Sequence, residues 1–212
     1  MFDYSLLHWT AFLTAAALLN LSPGPDIAFI LGQTMRGGRK SGFAAMFGIW
    51  TGALGHALMA AAGLSAILAA SALAFSLVKW LGAAYLVWLG ICALLSDGGS
   101  FVKTGVKTSA RVFPVYRQGV IVSLLNPKVA VFFLAFLPQF VVAGAGPVWA
   151  QLFLHGCLII FVAAFIEPPL VIAGARLTRA LRANPRIGLW MERSLGAILV
   201  GLGVRLAFAQ RQ

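Results

Sequence analysis

The chain is 212 residues long, 61% hydrophobic and only 10% charged, with a formal net charge of +11 and a mean hydropathy of +0.94. Soluble domains carry roughly a quarter charged residues, so this composition excludes a water-soluble fold and calls for an all-α bundle facing lipid. The basic excess does not mark a nucleic-acid partner, because its residues fall in alternate gaps between apolar stretches.

Six apolar spans are expected, near 5–35, 42–67, 72–95, 117–138, 149–173 and 188–208, each holding the roughly 20 residues that a bilayer requires. The first follows Met1-Phe2-Asp3-Tyr4, which lacks a basic leader and a small-residue cleavage pattern, so an uncleaved membrane helix is expected rather than a signal peptide. If straight, it would measure on the order of 46 Å, well over the 30 Å hydrocarbon core. Ser22-Pro23-Gly24-Pro25 interrupts it. Two prolines there remove backbone donors and push the residues before them out of the α region. A helix break is therefore expected immediately before Asp26.

After the linker with Arg36, Arg39 and Lys40, the second span carries Gly48 and Gly52, the small-xxx-small spacing for close helix contact. Packing within the bundle is the default expectation, with a seam between two copies as the alternative. His56 reads first as a hydrogen-bonded packing histidine and second as a pore-lining group. The third span, with Lys79 near its outer end, leads to Lys103, Lys107, Arg111 and Arg117. In the fourth, Asn126-Pro127 has the form of an N-cap followed by proline at the first helical position, so a new half-helix starts just before Lys128. In the fifth, Glu167 precedes Pro168-Pro169, and an interruption is expected there too.

Arg176, Arg179, Arg182 and Arg186 follow that span, which places eleven of the sixteen basic residues on alternate linkers. The positive-inside rule assigns those linkers to the cytoplasm and both termini to the outside, although Arg205 and Arg211 fit this less well. Tyr4, Trp9, Trp80 and Trp149 cluster near the outer span ends, as an aromatic belt does. Three spans per half is an odd number, so the second half enters from the opposite side, as in the inverted repeats of secondary transporters. The expected organisation is one transporter domain over 1–212, with repeats of about 1–97 and 112–212 joined by a cytoplasmic linker of about 97–112. A short internal echo supports it: Pro25-Asp26-Ile27-Ala28-Phe29-Ile30 aligns with Pro127-Lys128-Val129-Ala130-Val131-Phe132.

Asp26, Lys128 and Glu167 lie ten, eleven and nine residues from the cytoplasmic Arg36, Arg117 and Arg176. That places all three roughly 13–17 Å deep, near mid-membrane. Each costs about 2.5–3.5 kcal/mol at a helix centre, so they should face one another or water. A purely structural Asp26–Lys128 salt bridge is one account. Two acids and one base still leave a net negative centre, which suits a proton or a cationic group. The constellation fits a zwitterion: its carboxylate would lie on the half-helix N-termini beside Lys128, its ammonium on Asp26 or Glu167. The candidate substrate-binding residues are Pro23, Gly24, Pro25, Asp26, Asn126, Pro127, Lys128 and Glu167, with Asp26 and Glu167 as proton-coupling candidates. Cys92 and Cys157 stand alone in apolar runs, which gives no zinc or redox motif.

Taken in order, several stretches carry a family resemblance: Ser22-Pro23-Gly24-Pro25-Asp26; Gly38-Arg39-Lys40-Ser41-Gly42 with Gly48 and Gly52; the run from Lys79-Trp80 to Trp88-Leu89-Gly90; Asn126-Pro127-Lys128; and Leu137-Pro138-Gln139-Phe140. The chain resembles the lysine exporter and homoserine/threonine efflux (LysE/Rht-type) exporters of bacterial inner membranes. The resemblance implies six helices, export of amino acids or their derivatives, coupling to the proton gradient, and a central site formed by the two proline segments. Glu167 matches an acid that many members carry in the fifth span. A tyrosine implied about seven residues later is Gly174 here, and Pro168-Pro169 also departs from the pattern.

The expectation is therefore a proton-coupled amino-acid exporter with no cofactor, no metal and no catalytic residue, whose partners are the substrate, protons and the lipid bilayer. A homodimer is left open. Export of an inorganic cation is an alternative, against which stands the lack of a His/Cys/Met ligand cluster along the path. A membrane-embedded enzyme is another, but no H-E-x-x-H, C-x-x-C or G-x-S-x-G is present.

Overall fold

The computed structural model describes residues 4–21, 24–64, 111–183 and 185–208, together with scattered positions between 77 and 95. Ser22, Pro23, Lys79, Lys103, Lys107 and much of the expected third span lie outside the described residues. Among the described residues there are helices and turns but no strand. The helices are α1 (Leu6–Leu21), α2 (Pro25–Met59), α3 (Val112–Leu124), α4 (Pro127–Val131), α5 (Val148–Ala183) and α6 (Pro185–Phe208). A π turn, Ala60–Leu64, continues α2, and a π turn and a 3-10 turn carry α4 on to Phe140. Proline opens α2, α4 and α6, where its missing N–H would have had no helical partner anyway.

By length and composition, Pro25–Gly63 and Val148–Gly174 are each apolar enough to cross a bilayer. A third such stretch is α3 together with Pro127–Phe140, bent by 48° where Leu125 and Asn126 leave the helix. The α2 run is not straight. Gly38 takes φ 70° and ψ −171°, a conformation essentially reserved for glycine. A Cβ on Gly42 would collide with the Thr34 hydroxyl, yet residues eight apart in a straight helix are separated by about 12 Å. The chain therefore doubles back at Gly38, with Arg36, Arg39 and Lys40 exposed around the bend.

Small residues set how closely the helices approach. A Cβ on Gly48 would meet the Tyr116 carbonyl and lie 3.0 Å from Gly119 Cα, and one on Gly52 would lie 2.6 Å from Ser123 Cβ. The Gly48/Gly52 seam thus joins α2 to α3 within one chain, as the default expectation held. In the same way a Cβ on Gly90 would fall 2.7 Å from the Gly196 carbonyl, which seats that stretch on α6. The main apolar core sets Phe132, Phe133 and Phe136 against Phe12 of α1 and Leu152 and Ile159 of α5.

One expectation is corrected. Pro168-Pro169 does not interrupt the fifth span, because α5 runs unbroken from Val148 to Ala183 with both prolines inside it. Proline's fixed φ is itself helical, and what it removes is the bond to the carbonyl one turn back. Just past the pair, Val171 is wholly buried beside Gly42 of the α2 run. The basic stretch after that span is also helical as far as Ala183, so only a short gap separates it from α6.

Candidate functional site

The two interrupted segments meet. Gly24, in extended backbone, precedes α2 and brings Asp26 into its first turn. Asn126 caps α4: its side-chain oxygen accepts from the Lys128 backbone N–H at 3.0 Å, satisfying one of the donors a helix start leaves unpaired. Its amide nitrogen donates to Asp26 Oδ1 at 2.9 Å. Asn126 is 2% exposed, so the bond is made out of water and is worth more than a surface one.

Lys128 Nζ donates to the Leu19 carbonyl at 3.2 Å. That carbonyl belongs to the last turn of α1, where acceptors lack helical partners and the dipole favours a cation. The ammonium also lies beside the first break, since a Cβ on Gly24 would come within 3.3 Å of Nζ. Glu167 reaches the same region from α5, buried at 4% exposure, and accepts from Trp50 Nε1 at 2.7 Å. Asp26, Lys128 and Glu167 are close enough for each to feel the charge of the others.

These side chains share one cavity. Asp26, Lys128, Glu167, Asn20 and Trp50 make its polar wall, and residues such as Ile49, Phe133 and Ile160 its apolar wall. Measured as space open to water centres, its volume is ≈ 40 Å³, enough for a few waters when one needs about 10–15 Å³. Small-molecule sites occupy about 300–1,000 Å³, so the cavity is narrow around its charges.

Of the residues expected at the site, Asp26, Lys128 and Glu167 line the cavity. Gly24 and Asn126 stand directly behind them, positioning the ammonium and the carboxylate. Pro25 and Pro127 are exposed and serve as the first residues of their helices, while Pro23 lies outside the described residues. His56 is buried with Nε2 3.1 Å from the Ser123 carbonyl, as a packing histidine should be. Among the described residues no three His, Cys, Asp or Glu side chains gather as a metal-ligand set.

Sequence reasoning missed Trp50 and Asn20. Trp50 did leave a signal: it lies ten residues past Lys40, about the same spacing from a basic linker as the three charges, whereas tryptophan is enriched at span ends. Asn20, whose Nδ2 donates to the Ala16 and Ile159 carbonyls and so ties α1 to α5, left none.

The profile of the LysE type translocator family matches residues 17–210. An uncharacterized membrane protein of Vibrio cholerae is 32% identical over 95% of this chain and 97% of its own. A homoserine/homoserine lactone efflux protein of Salmonella typhimurium is 30% identical over the same shares, 95% and 97%. A leucine efflux protein of that organism is 26% identical over 98% of each chain. No solved structure gives a significant match.

Proposed function

Because the chain belongs to the LysE type translocator family, we propose that it exports an amino acid or small amino-acid derivative across a bacterial inner membrane, in exchange for protons. The observation that carries this reading is the convergence of Asp26, Lys128 and Glu167 on one narrow cavity beside the two helix breaks. The efflux function of the homoserine and leucine relatives supports the substrate class.

In this reading the substrate carboxylate pairs with Lys128 beside the N-terminus of α2, where unpaired N–H groups favour an anion. The ammonium pairs with Asp26 or Glu167. With two acids and one base, the empty site carries an excess negative charge in a poorly hydrated setting. A proton on one acid compensates that charge when the substrate leaves, which gives antiport its physical basis. The narrow cavity must widen on one side at a time, and the backbone breaks at Gly24 and Asn126 are where the half-helices can pivot. The wider architecture proposed is six spans in two inverted three-helix repeats, about 1–97 and 112–212, with both termini outside.

The test is export itself. Cells overproducing the chain are challenged with a panel of amino acids and toxic analogues, and efflux is followed. Asp26→Asn, Lys128→Ala and Glu167→Gln are each expected to abolish the acquired resistance while membrane expression stays intact. Full efflux in all three variants would overturn the site.

A further inference from the structure

A second polar cluster lies toward the opposite end of α1 from the Asp26 cavity. His8, in the first turn of α1, faces His155 on α5 with their Nε2 atoms 2.8 Å apart. The ring centroids are 5.1 Å apart, so both nitrogens lie between the rings, close to the line joining them. A metal ion on that line would need two bonds of about 2.0–2.1 Å each, more than the gap holds. The contact is a hydrogen bond from one ring to the other.

Its direction is set by a neighbour. His155 is 1% exposed, and its Nδ1 lies 2.7 Å from the Gln151 carbonyl. A carbonyl only accepts, so Nδ1 carries the proton, and Nε2 of the neutral ring is left as an acceptor. His8 therefore donates from its Nε2. The arrangement tolerates one extra proton, on His8 Nδ1, because His8 still donates. It does not tolerate a second. With both rings charged, two N–H groups would confront each other in an aromatic box.

Among the described residues the walls of that box are mainly aromatic rings. Tyr4 stacks on His8 with centroids 4.3 Å apart, Trp9 stacks on His155 at 5.7 Å, Phe12 stands edge-on to His155, and Phe140 stands edge-on to His8. Gln151 is wholly buried and its side chain is engaged: Oε1 accepts from Tyr4 and Val142, and Nε2 donates to the Val142 and Gly146 carbonyls. Among the described residues, Tyr4 is the other titratable side chain with ring contacts to the pair. Cys157 follows on α5, and Asp3 lies outside the described residues. No Asp, Glu, Lys or Arg occurs in residues 4–21 or 129–166, the segments that enclose the two rings.

We propose that His8 and His155 form a proton-binding latch that ties the start of α1 to α5 while it holds at most one extra proton and releases it when both rings are charged. Once apart and hydrated, each imidazole titrates near its ordinary value of about 6.5. Well below that value the open form binds at least one proton more than the closed form, so the open-to-closed ratio rises at least about tenfold per pH unit. On the orientation proposed above, the latch faces the outside, the acidic side of an inward proton gradient. Acid there loosens the contact between α1 and α5 at the outer end of the bundle.

The test reads that contact directly, in the full chain reconstituted in lipid. Spin labels go on cysteines replacing the exposed Leu6 and Trp149, with Cys92 and Cys157 changed to serine. Pulsed EPR then measures the α1–α5 separation between about pH 8 and about pH 5. A short distance at high pH, giving way to a longer one in acid, is expected with both histidines present. In His155→Gln the amide oxygen accepts from His8 whatever its charge, and in His8→Gln the amide can turn to suit either form of His155. Both variants should therefore keep the short distance throughout. A pH-dependent separation in either variant that folds, or none with both histidines present, overturns the latch. The measurement needs no substrate, so its failure is distinct from a failure of amino-acid export.

Discussion

Asn126 holds the Asp26 carboxylate across a hundred residues of sequence, donating from Nδ2 to Oδ1 over 2.9 Å. The same side chain caps the helix that carries Lys128. One amide therefore does two jobs, closing a half-helix and fixing the acid of the other break beside the base.

Asn126→Asp separates those jobs. It keeps an acceptor for the Lys128 N–H but sets a second carboxyl against Asp26, where like charges disfavour joint ionisation. Asn126→Ala loses both contacts, at about 1 kcal/mol for the cap and about 1–3 kcal/mol for the acid left without its donor. The expected outcome is at least tenfold slower export in both variants, with a larger fall in thermal stability for Asn126→Ala. Paired efflux and detergent-unfolding measurements check it; wild-type export in Asn126→Asp would show that the bridge to Asp26 is dispensable.

Trp50 Nε1 is 2.7 Å from Glu167 Oε2. Trp50→Phe keeps most of the ring but strips the donor from a buried carboxyl, so a loss of about 1–3 kcal/mol is expected. Glu167→Gln retains an acceptor. The two changes should be non-additive by more than about 0.5 kcal/mol in a double-mutant cycle, as expected of groups in contact. Strict additivity in unfolding experiments would mean that the bond contributes nothing.

The α2–α3 seam depends on the absence of two side chains. Gly48→Ala would push a methyl into the Tyr116 carbonyl, whereas Gly63→Ala would meet open space. Overpacking of this kind costs about 1–3 kcal/mol, so Gly48→Ala should lower the unfolding midpoint and Gly63→Ala should leave it nearly unchanged. Equal midpoints for the two variants would remove the seam from the account.

Gly38→Ala isolates backbone strain. A Cβ there has no neighbour within 4 Å, yet the residue sits at φ 70° and ψ −171°. The penalty is conformational, about 1–3 kcal/mol, and Asn, which tolerates the left-handed helical region but not this one, should not relieve it. Unfolding of Gly38→Ala and Gly38→Asn with similar losses is the expected result; a wild-type midpoint in Gly38→Ala would mean that the bend does not need glycine.

The sequence by itself determined what depends on near neighbours. Apolar runs marked the chain as membrane-embedded. Pro25 and Pro127 marked helix starts, since a missing N–H and a fixed φ act within a turn. Charge depth was legible because rise per residue is constant along a helix, and so Asp26, Lys128 and Glu167 could be placed together. Tertiary structure decided what depends on distant partners. Asn126 reaches Asp26, Trp50 reaches Glu167 and His8 reaches His155 only because glycines at 48, 52 and 119 and the phenylalanines of 132–140 set how α1, α2, α3 and α5 pack. At Pro168-Pro169 the local rule did not hold: two backbone bonds are lost, yet the helix continues, with Val171 buried just beyond them. Local sterics act over a few residues and can be read along the chain, whereas a side-chain pairing across a hundred residues exists only once the packing that aligns its helices is in place.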